Sequence, residues 1–326
     1  MAIRTPIVLA ASILVIGSLA ASVLSEYYLR LLNLSAISAV AVVGLNFAFG
    51  YAGLISLGHA AFVGIGAYGL AILTTACGWS PWIAMPVAVL ASAVSAVLIG
   101  YPLLRLRGHY LALATLGLNV SFYIVTSNWI GLTGGTNGIA RIPELAIGSF
   151  AFSGEHQFLW LALGVLAVVA AFAAILHASR HGREMMAVRD DEIASEMIGI
   201  DTTRVKITAF MLSAICAAVA GCLFALHVRF VAPEDFTYAH SITYLAMLIV
   251  GGESTIAGAI LGAILLTFLP EWLRFLGTSY LFFFGLLMLC ILVFLPTGLV
   301  GLGQRLRRQP RKAAALIPVR APEATP

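Results

Sequence analysis

Residues 178–206 read ASRHGREMMAVRDDEIASEMIGIDTTRVK. Eleven of the chain's 32 Asp, Glu, Lys and Arg residues fall between Arg180 and Lys206. Long apolar runs flank this island, and between Arg30 and Arg105 there is no Asp, Glu, Lys or Arg at all. Charge packed so densely must lie in water, and the runs around it must not. The 326 residues are 61% hydrophobic and 10% charged, with a mean hydropathy of +1.02. A soluble domain carries about 25% charged residues. Backbone in lipid must satisfy its own hydrogen bonds, which leaves helices or a closed barrel. The apolar runs are continuous rather than alternating, so helices are expected. The fold class that follows is an all-α integral membrane protein of about ten transmembrane helices.

The island carries both signs. Arg180, Arg183, Arg189, Arg204 and Lys206 stand against Glu184, Asp190, Asp191, Glu192, Glu196 and Asp201. A lipid-binding tail would be basic throughout. Met185–Ile198 reads as one amphipathic helix with Met186, Ile193 and Met197 on a shared face, closed by Gly199. Such a helix at a membrane surface is a docking element, and the alternative is a solvated linker. In the docking reading the methionines and Ile193 anchor, while Arg189, Asp190, Asp191 and Glu192 set register by charge-assisted hydrogen bonds. Glu192, lying in water, is expected to tolerate reversal to Lys without loss of fold.

A span needs about 20 apolar residues. On that scale spans are expected at 6–24, 31–50, 54–76, 81–104, 110–127, 157–177, 207–228, 240–250, 256–270 and 280–300. The first could pass for a signal peptide, but its apolar run is long and it is read as retained. With both ends in the cytoplasm, Arg4, Arg105, Arg107, the island's five and the tail's Arg305, Arg307, Arg308, Arg311, Lys312 and Arg320 are inside. Only Arg30, Arg141, Arg229 and Arg274 are outside. That is a positive-inside bias of fourteen to four. It puts 178–206 in the cytoplasm and the loop from Asn128 to His156 outside. Residues 301–326 form a basic cytoplasmic tail, read as an anchor on anionic lipid rather than a nucleic-acid binder.

Gly50 to Ala67 is crowded with small residues. Gly53, Gly58, Gly64 and Gly66 predict close helix approach or an unwound turn. Gly251 to Gly262 echoes it, and paired Gly-interrupted segments point to a transport path. Spans two to five start outside and spans seven to ten inside, which allows an inverted repeat, although the two Gly-rich segments face the same way. Asn46, Ser56, His59, Thr115 and Asn119 are the polar candidates for lining that path, with helix packing the competing role. The outward Thr133, Gly134, Gly135, Thr136 and Asn137 are candidates for an outer gate or a binding-protein contact, or are a plain turn cluster. No acid or base sits at mid-span, which argues against a proton relay. Neither lysine, Lys206 or Lys312, lies in a phosphate-binding glycine frame. No zinc-hydrolase or nucleophile-elbow motif occurs, so no metal site and no catalysis are expected in this chain. Cys77, Cys216, Cys222 and Cys290 read as small apolar residues.

Several stretches together resemble the permease family of branched-chain amino acid ABC importers, and within it the longer, LivM-like subunit. They are Gly53-Leu-Ile-Ser-Leu-Gly-His-Ala-Ala-Phe62, Gly108-His-Tyr-Leu-Ala-Leu-Ala-Thr-Leu116, Leu132-Thr-Gly-Gly-Thr-Asn-Gly138, and Gly182-Arg-Glu with Ala187-Val-Arg-Asp-Asp-Glu-Ile-Ala194 and Gly199. Gly251-Gly with Gly258 and Gly262 completes the set. The resemblance implies an importer permease fold in the bacterial cytoplasmic (inner) membrane. It implies a heterodimer with a shorter LivH-like permease, two cytoplasmic ABC ATPase subunits that hold the ATP and Mg, and an extracytoplasmic binding protein. No cofactor belongs to this chain itself. The island would be the coupling segment, although its Glu192-Ile-Ala-Ser195 matches the family's acidic signature only loosely. Leu, Ile and Val are the implied cargo, with urea or short amides as the alternative within the family. An ion-driven secondary transporter is the rival class.

Overall fold

The computed structural model describes residues 24–275 except 148, 149 and 153, together with scattered positions within 8–18 and 282–301. The expected first and last spans and the basic tail lie largely or wholly outside the described residues.

Among the described residues eight apolar helices build the bundle. They are α1 (Glu26–Asn46), α2 (His59–Thr75), α3 (Pro81–Leu103), α4 (His109–Asn128), α6 (Glu155–Ala178), α9 (Thr202–Val228), α10 (Tyr238–Gly251) and α11 (Ile256–Trp272). Among the described residues five are long and apolar enough to cross a membrane: α1 with its π-helical extension to Tyr51, α3, α4, α6 and α9. Helices α2, α10 and α11 are apolar but shorter. Short α5 (Ile130–Thr133) sits beyond α4, and α7 (Arg180–Asp190) and α8 (Glu192–Met197) form the island.

Burial sorts the long helices into two shells. The apolar windows of α1 and α9 are 78% and 72% buried, those of α3 and α4 only 28% and 22%. Helix α9 packs on α2, α1 and α3, and α1 packs on α9, α11 and α6. The outer helices turn Leu90, Leu98, Leu113 and Ile124 outward. Apolar side chains suit that position only where lipid replaces water.

Small residues set the spacing at the centre. A Cβ added to Gly66 would strike the Ala218 backbone, and one on Gly221 the Val63 carbonyl. Cys222 Sγ–H, freed to approach, donates to Gly66 O at 3.3 Å. Backbone-to-backbone approach of this kind replaces the hydrophobic drive that lipid does not supply. Of the cysteines, Cys216 and Cys222 are buried as expected, but Cys77 is exposed at the end of α2, where the chain turns toward α3.

The chain alternates between two faces. One carries the island, the α3–α4 turn and the α10–α11 turn. The opposite face carries the 128–154 segment, which is less of a loop than its composition suggests. Strand β1 (Ile139–Ala140) pairs antiparallel with β4 (Phe230–Val231), and β2 (Ala146–Ile147) with β3 (Phe150–Ala151). Trp82 Nε1–H donates to Ala146 O at 2.8 Å and pins this segment to α3. Asn33 on α1 donates to Glu155 Oε2 at 2.8 Å and fixes the start of α6.

The central packing makes a contrast that can be measured. Gly221→Ala should lower stability by about 1–3 kcal/mol through overpacking. Gly164→Ala on α6, where an added Cβ meets nothing within 4 Å, should be neutral or slightly stabilising. Thermal unfolding of both variants in detergent reads the difference; equal midpoints would show that the α2–α9 approach is not tight.

Candidate functional site

The island is two helices, not one. Asp191 sits at φ −155° and ψ 110°, extended backbone that ends α7, and its Oδ1 accepts from Ala194 N at 3.0 Å to cap α8. A short acidic side chain competes for backbone donors and starts a new helix instead of continuing the old one. Met186 is therefore not on one helical face with Ile193 and Met197. The residues buried from α7 are Gly182, Met185 and Val188. Gly199, at φ +86°, does close the second helix. Its N–H bonds Glu196 O at 3.0 Å and Ile200 N–H bonds Ser195 O at 3.0 Å, the paired bonds of a left-handed glycine cap.

Helix α8 and its C-cap present Ile193, Met197 and Ile198 at 65%, 84% and 77% exposure. Asp190 is exposed beside them. Arg180 Nε donates to Glu184 Oε1 at 2.8 Å and holds that carboxylate below its usual pKa.

Arg189 points the other way. Its guanidinium donates through Nη1 to Gly50 O and Ser254 Oγ, and through Nη2 to Glu253 Oε1 at 2.8 Å. Ser254 Oγ–H also donates to Gly50 O at 2.8 Å, and Ser254 N–H to Asn46 Oδ1 at 2.9 Å. The two Gly-rich segments that echo each other in sequence thus touch in space, with Arg189 clasping both. Asn46 belongs to this clasp.

Glu192 is also turned inward, contrary to the expectation that water surrounds it. Its Oε1 lies 2.6 Å from Lys206 Nζ and 3.2 Å from Arg107 Nη2. Lys206 keeps only 9% of its side chain exposed, so Glu192 is the counter-ion of a nearly buried ammonium. Reversal to Lys would place a third cation beside Lys206 and Arg107, so a loss of stability is expected in place of tolerance. These residues, with Gly53, Ile55, Gly108 and Asp190, wall a cleft of about 190 Å³.

Beneath the clasp the backbone leaves helical form. After Tyr51 the chain turns at Gly53 (φ +68°) and runs unwound through residues 54–58 before α2 starts at His59. His59 Nε2–H donates to Ala41 O at 2.8 Å. Ala41 lies nine residues, about 13 Å of helix, inside Gly50. Helix α2 therefore starts deep in the bundle. Thr115 Oγ1 accepts from Leu57 N–H at 2.9 Å, Ser56 Oγ from Gly58 N–H at 3.4 Å, and Ser241 Oγ from Ala60 N–H at 2.9 Å. Asn119 Nδ2–H donates to Ser241 Oγ at 3.3 Å, and Ser213 Oγ faces His59 Nδ1 at 3.4 Å. A Cβ on Gly58 would meet the Thr115 carbonyl at 2.8 Å.

Asn46, Ser56, His59, Thr115 and Asn119 are all at most 4% exposed. The structure brings the last four together around the unwound segment. Ser241, Ser213, Ser254 and Glu253 are the members that sequence reasoning missed. Their signal was faint: single serines inside apolar helices, and an acid directly after a Gly-Gly pair.

On the opposite face Thr133 Oγ1–H reaches Thr126 O at 2.6 Å, and Thr133 and Gly135 are buried in the turn. Gly134, at φ +75°, is packed against the Gly138 carbonyl. Only Thr136 and Asn137 of that candidate set expose their side chains.

The ion pair gives a thermodynamic test. Glu192→Ala and Lys206→Met should each destabilise, and the double variant should cost less than their sum by about 0.5–3 kcal/mol. Arg107→Ala should cost about 0–1 kcal/mol, since 63% of its side chain is exposed. Unfolding midpoints in detergent measure all four, and strict additivity of the Glu192 and Lys206 effects would mean that the pair is not coupled.

Comparison with known proteins agrees with this architecture. The chain is 37% identical over 280 residues to the high-affinity branched-chain amino acid transport system permease protein LivM of Salmonella typhimurium, covering 79% of this chain and 66% of that relative. It is 31% identical over 177 residues to the autoinducer 2 import system permease protein LsrC of Klebsiella pneumoniae, half of each chain. It is 28% identical over 288 residues to the branched-chain amino acid permease protein LivH of Escherichia coli, covering 81% of this chain and 91% of that one. The match thus spans 66% of the length of the LivM relative. No solved structure gives a significant match. The family described as branched-chain amino acid transport system / permease component matches residues 27–292. With most of its length inside that match and its apolar helices packed as a bundle, the chain is a multi-pass membrane protein belonging to the branched-chain amino acid transport system permease family.

Proposed function

We propose that this chain is the permease subunit of an ATP-driven ABC importer that takes up branched-chain amino acids. The observation that carries the reading is the two-sided island. Helix α8 with its C-cap offers an apolar trio to the solvent, while Arg189 and Glu192 tie the same segment to the bundle. A solvated linker needs neither feature. A coupling segment needs both, one surface to be pushed and one connection to pass the push on. Single apolar residues at a surface need no explanation, but three within six consecutive positions, on a short helix and its C-cap, do.

In this reading 178–206 is cytoplasmic, as the fourteen-to-four bias requires, and the 128–154 segment faces the binding protein. Two ATPase subunits bind ATP and Mg and receive α8. A LivH-like permease completes the membrane part, and about ten spans cross the bacterial inner membrane with both termini cytoplasmic. Leu, Ile and Val are the cargo that the names of the LivM and LivH relatives support. The LsrC relative is named for a different solute, so urea or a short amide is the outcome to set against leucine.

The test uses the complete complex in proteoliposomes. Ile193→Asp with Met197→Asp should leave the permease folded, since both side chains are already exposed. It should strip the ATPase subunits on purification and lower leucine uptake roughly tenfold or more, as loss of a central apolar anchor does. Full uptake with normal ATPase retention in this double variant would make the island a linker. Leucine uptake that stops when ion gradients are collapsed at constant ATP would point to a secondary transporter. Urea uptake without leucine uptake would reassign the cargo.

A further inference from the structure

A cavity of about 250 Å³ lies between α1, α2, α9, α10 and α11, reached past the start of α10 and the end of α11. Much of its wall is aliphatic or aromatic, from Ile37, Val63, Phe224 and Leu266. Ser38, Thr243 and Tyr244 add hydroxyls to that wall, and Asp235, His240 and Thr267 add the groups on which the argument turns. None of them belongs to the clasp or to the unwound segment.

Asp235 lies in the 3₁₀ turn Pro233–Phe236 that leads into α10. Its Oδ2 accepts from Ala232 N–H at 3.1 Å. Among the described residues no Lys or Arg stands within ion-pair reach of it. Burial raises its pKa, the cost of a carboxylate that lacks a full counter-charge. Thr267 Oγ is buried and finds no hydrogen-bond partner among the described residues. His240 engages Thr237 Oγ1 through Nδ1 at 3.3 Å, which leaves Nε2 free to meet a ligand.

A half-buried carboxylate with no Lys or Arg beside it, and a buried hydroxyl with no partner among the described residues, are costly unless something fills the space between them. We infer that this cavity binds an α-amino acid with an aliphatic side chain. Its ammonium would meet Asp235, its carboxylate the Thr267 hydroxyl and His240 Nε2, and its side chain the wall of Ile37, Val63, Phe224 and Leu266. Small pockets of this make-up bind by apolar area and take specificity from a few convergent polar groups. The inference rests on the importer reading, because a permease with a binding protein needs no site of its own to select cargo; this one would hold cargo in transit.

Tyr244 connects the cavity to the deep network. It lines the cavity and stands edge-on to His59, ring centroids 5.9 Å apart. Occupancy would thus be felt at the start of α2.

The experiment uses the reconstituted complex. Asp235→Asn keeps an acceptor for Ala232 N–H and removes only the charge, so the complex should assemble as the wild type does. KM for leucine should rise at least about tenfold, as expected when a buried charge loses its partner. Thr267→Val, which keeps shape and removes the hydroxyl, should raise KM in the same direction. Photo-leucine added without binding protein should label Ile37, Phe224 or Leu266, and Thr243→Trp, which fills the cavity, should abolish that label. A wild-type complex that imports no aliphatic amino acid overturns the branched-chain cargo reading on which the inference rests. A wild type that imports leucine, with Asp235→Asn unchanged in KM or photo-leucine labelling only elsewhere, overturns the cavity assignment alone.

Discussion

Backbone outside water must find every hydrogen-bond partner inside the protein. Most of this chain meets that demand with unbroken helix. Residues 54–58 do not, and side chains from other helices close the deficit. Thr115 takes the Leu57 N–H, and Ser241 takes one of the donors at the start of α2 that no earlier turn can satisfy. His59 then bonds back to the Ala41 carbonyl. The segment is therefore irregular but not loose. Its partners come from α1, α4 and α10, so it keeps its shape only while those helices keep theirs.

The same dependence explains why Arg189 lies at the junction. A guanidinium has donors in a fixed fork and cannot shed its charge. Placed above Gly50, Ser254 and Glu253, it satisfies carbonyl, hydroxyl and carboxylate together. A lysine would reach one of them well. The glycines beneath are required by approach as much as by φ: a Cβ on Gly50 would strike the Asn46 amide that holds Ser254 N–H. Composition, packing and charge thus meet at one point, where two turns of the bundle and the soluble segment share one side chain.

Much of the fold was legible because its physics is local. Charge density separated water from lipid, and long apolar runs marked α1, α3, α4, α6 and α9. Glycine crowding at 50–67 announced close approach and unwinding, and both are present at Gly58 and Gly66. The island was read less well. Periodicity joined Met186 to Ile193, but a cap at Asp191 outweighed it. Glu192 looked solvated because its neighbours in sequence are charged. Its neighbours in space, Lys206 and Arg107, come from the start of α9 and the α3–α4 turn. Such long-range pairs leave no periodic trace. The serines that complete the deep network were overlooked for the same reason, since a lone hydroxyl in an apolar helix looks alike whether it bonds its own turn or a distant N–H.

Helix α10 joins these features mechanically. Near its start Ser241 holds the first turn of α2, one turn later Tyr244 meets His59, and its end at Gly251 leads into Ser254 under Arg189. Helix α10 has 14 residues, and a helix of that length spans about 21 Å. It is short enough to move as one piece. Two connections therefore run from the island to the start of α2, one through Gly50 along the unwound segment and one through Ser254 along α10. A displacement of α7 and α8 that pulled Arg189 would load both at once. Because the two meet at His59 and Ala60, shifting one without the other would break hydrogen bonds that nothing else in a dry interior can replace. In the coupling reading proposed above, α2 and α10 would therefore move together, and a linked pair of helices would carry a push from one surface helix toward the centre of the bundle.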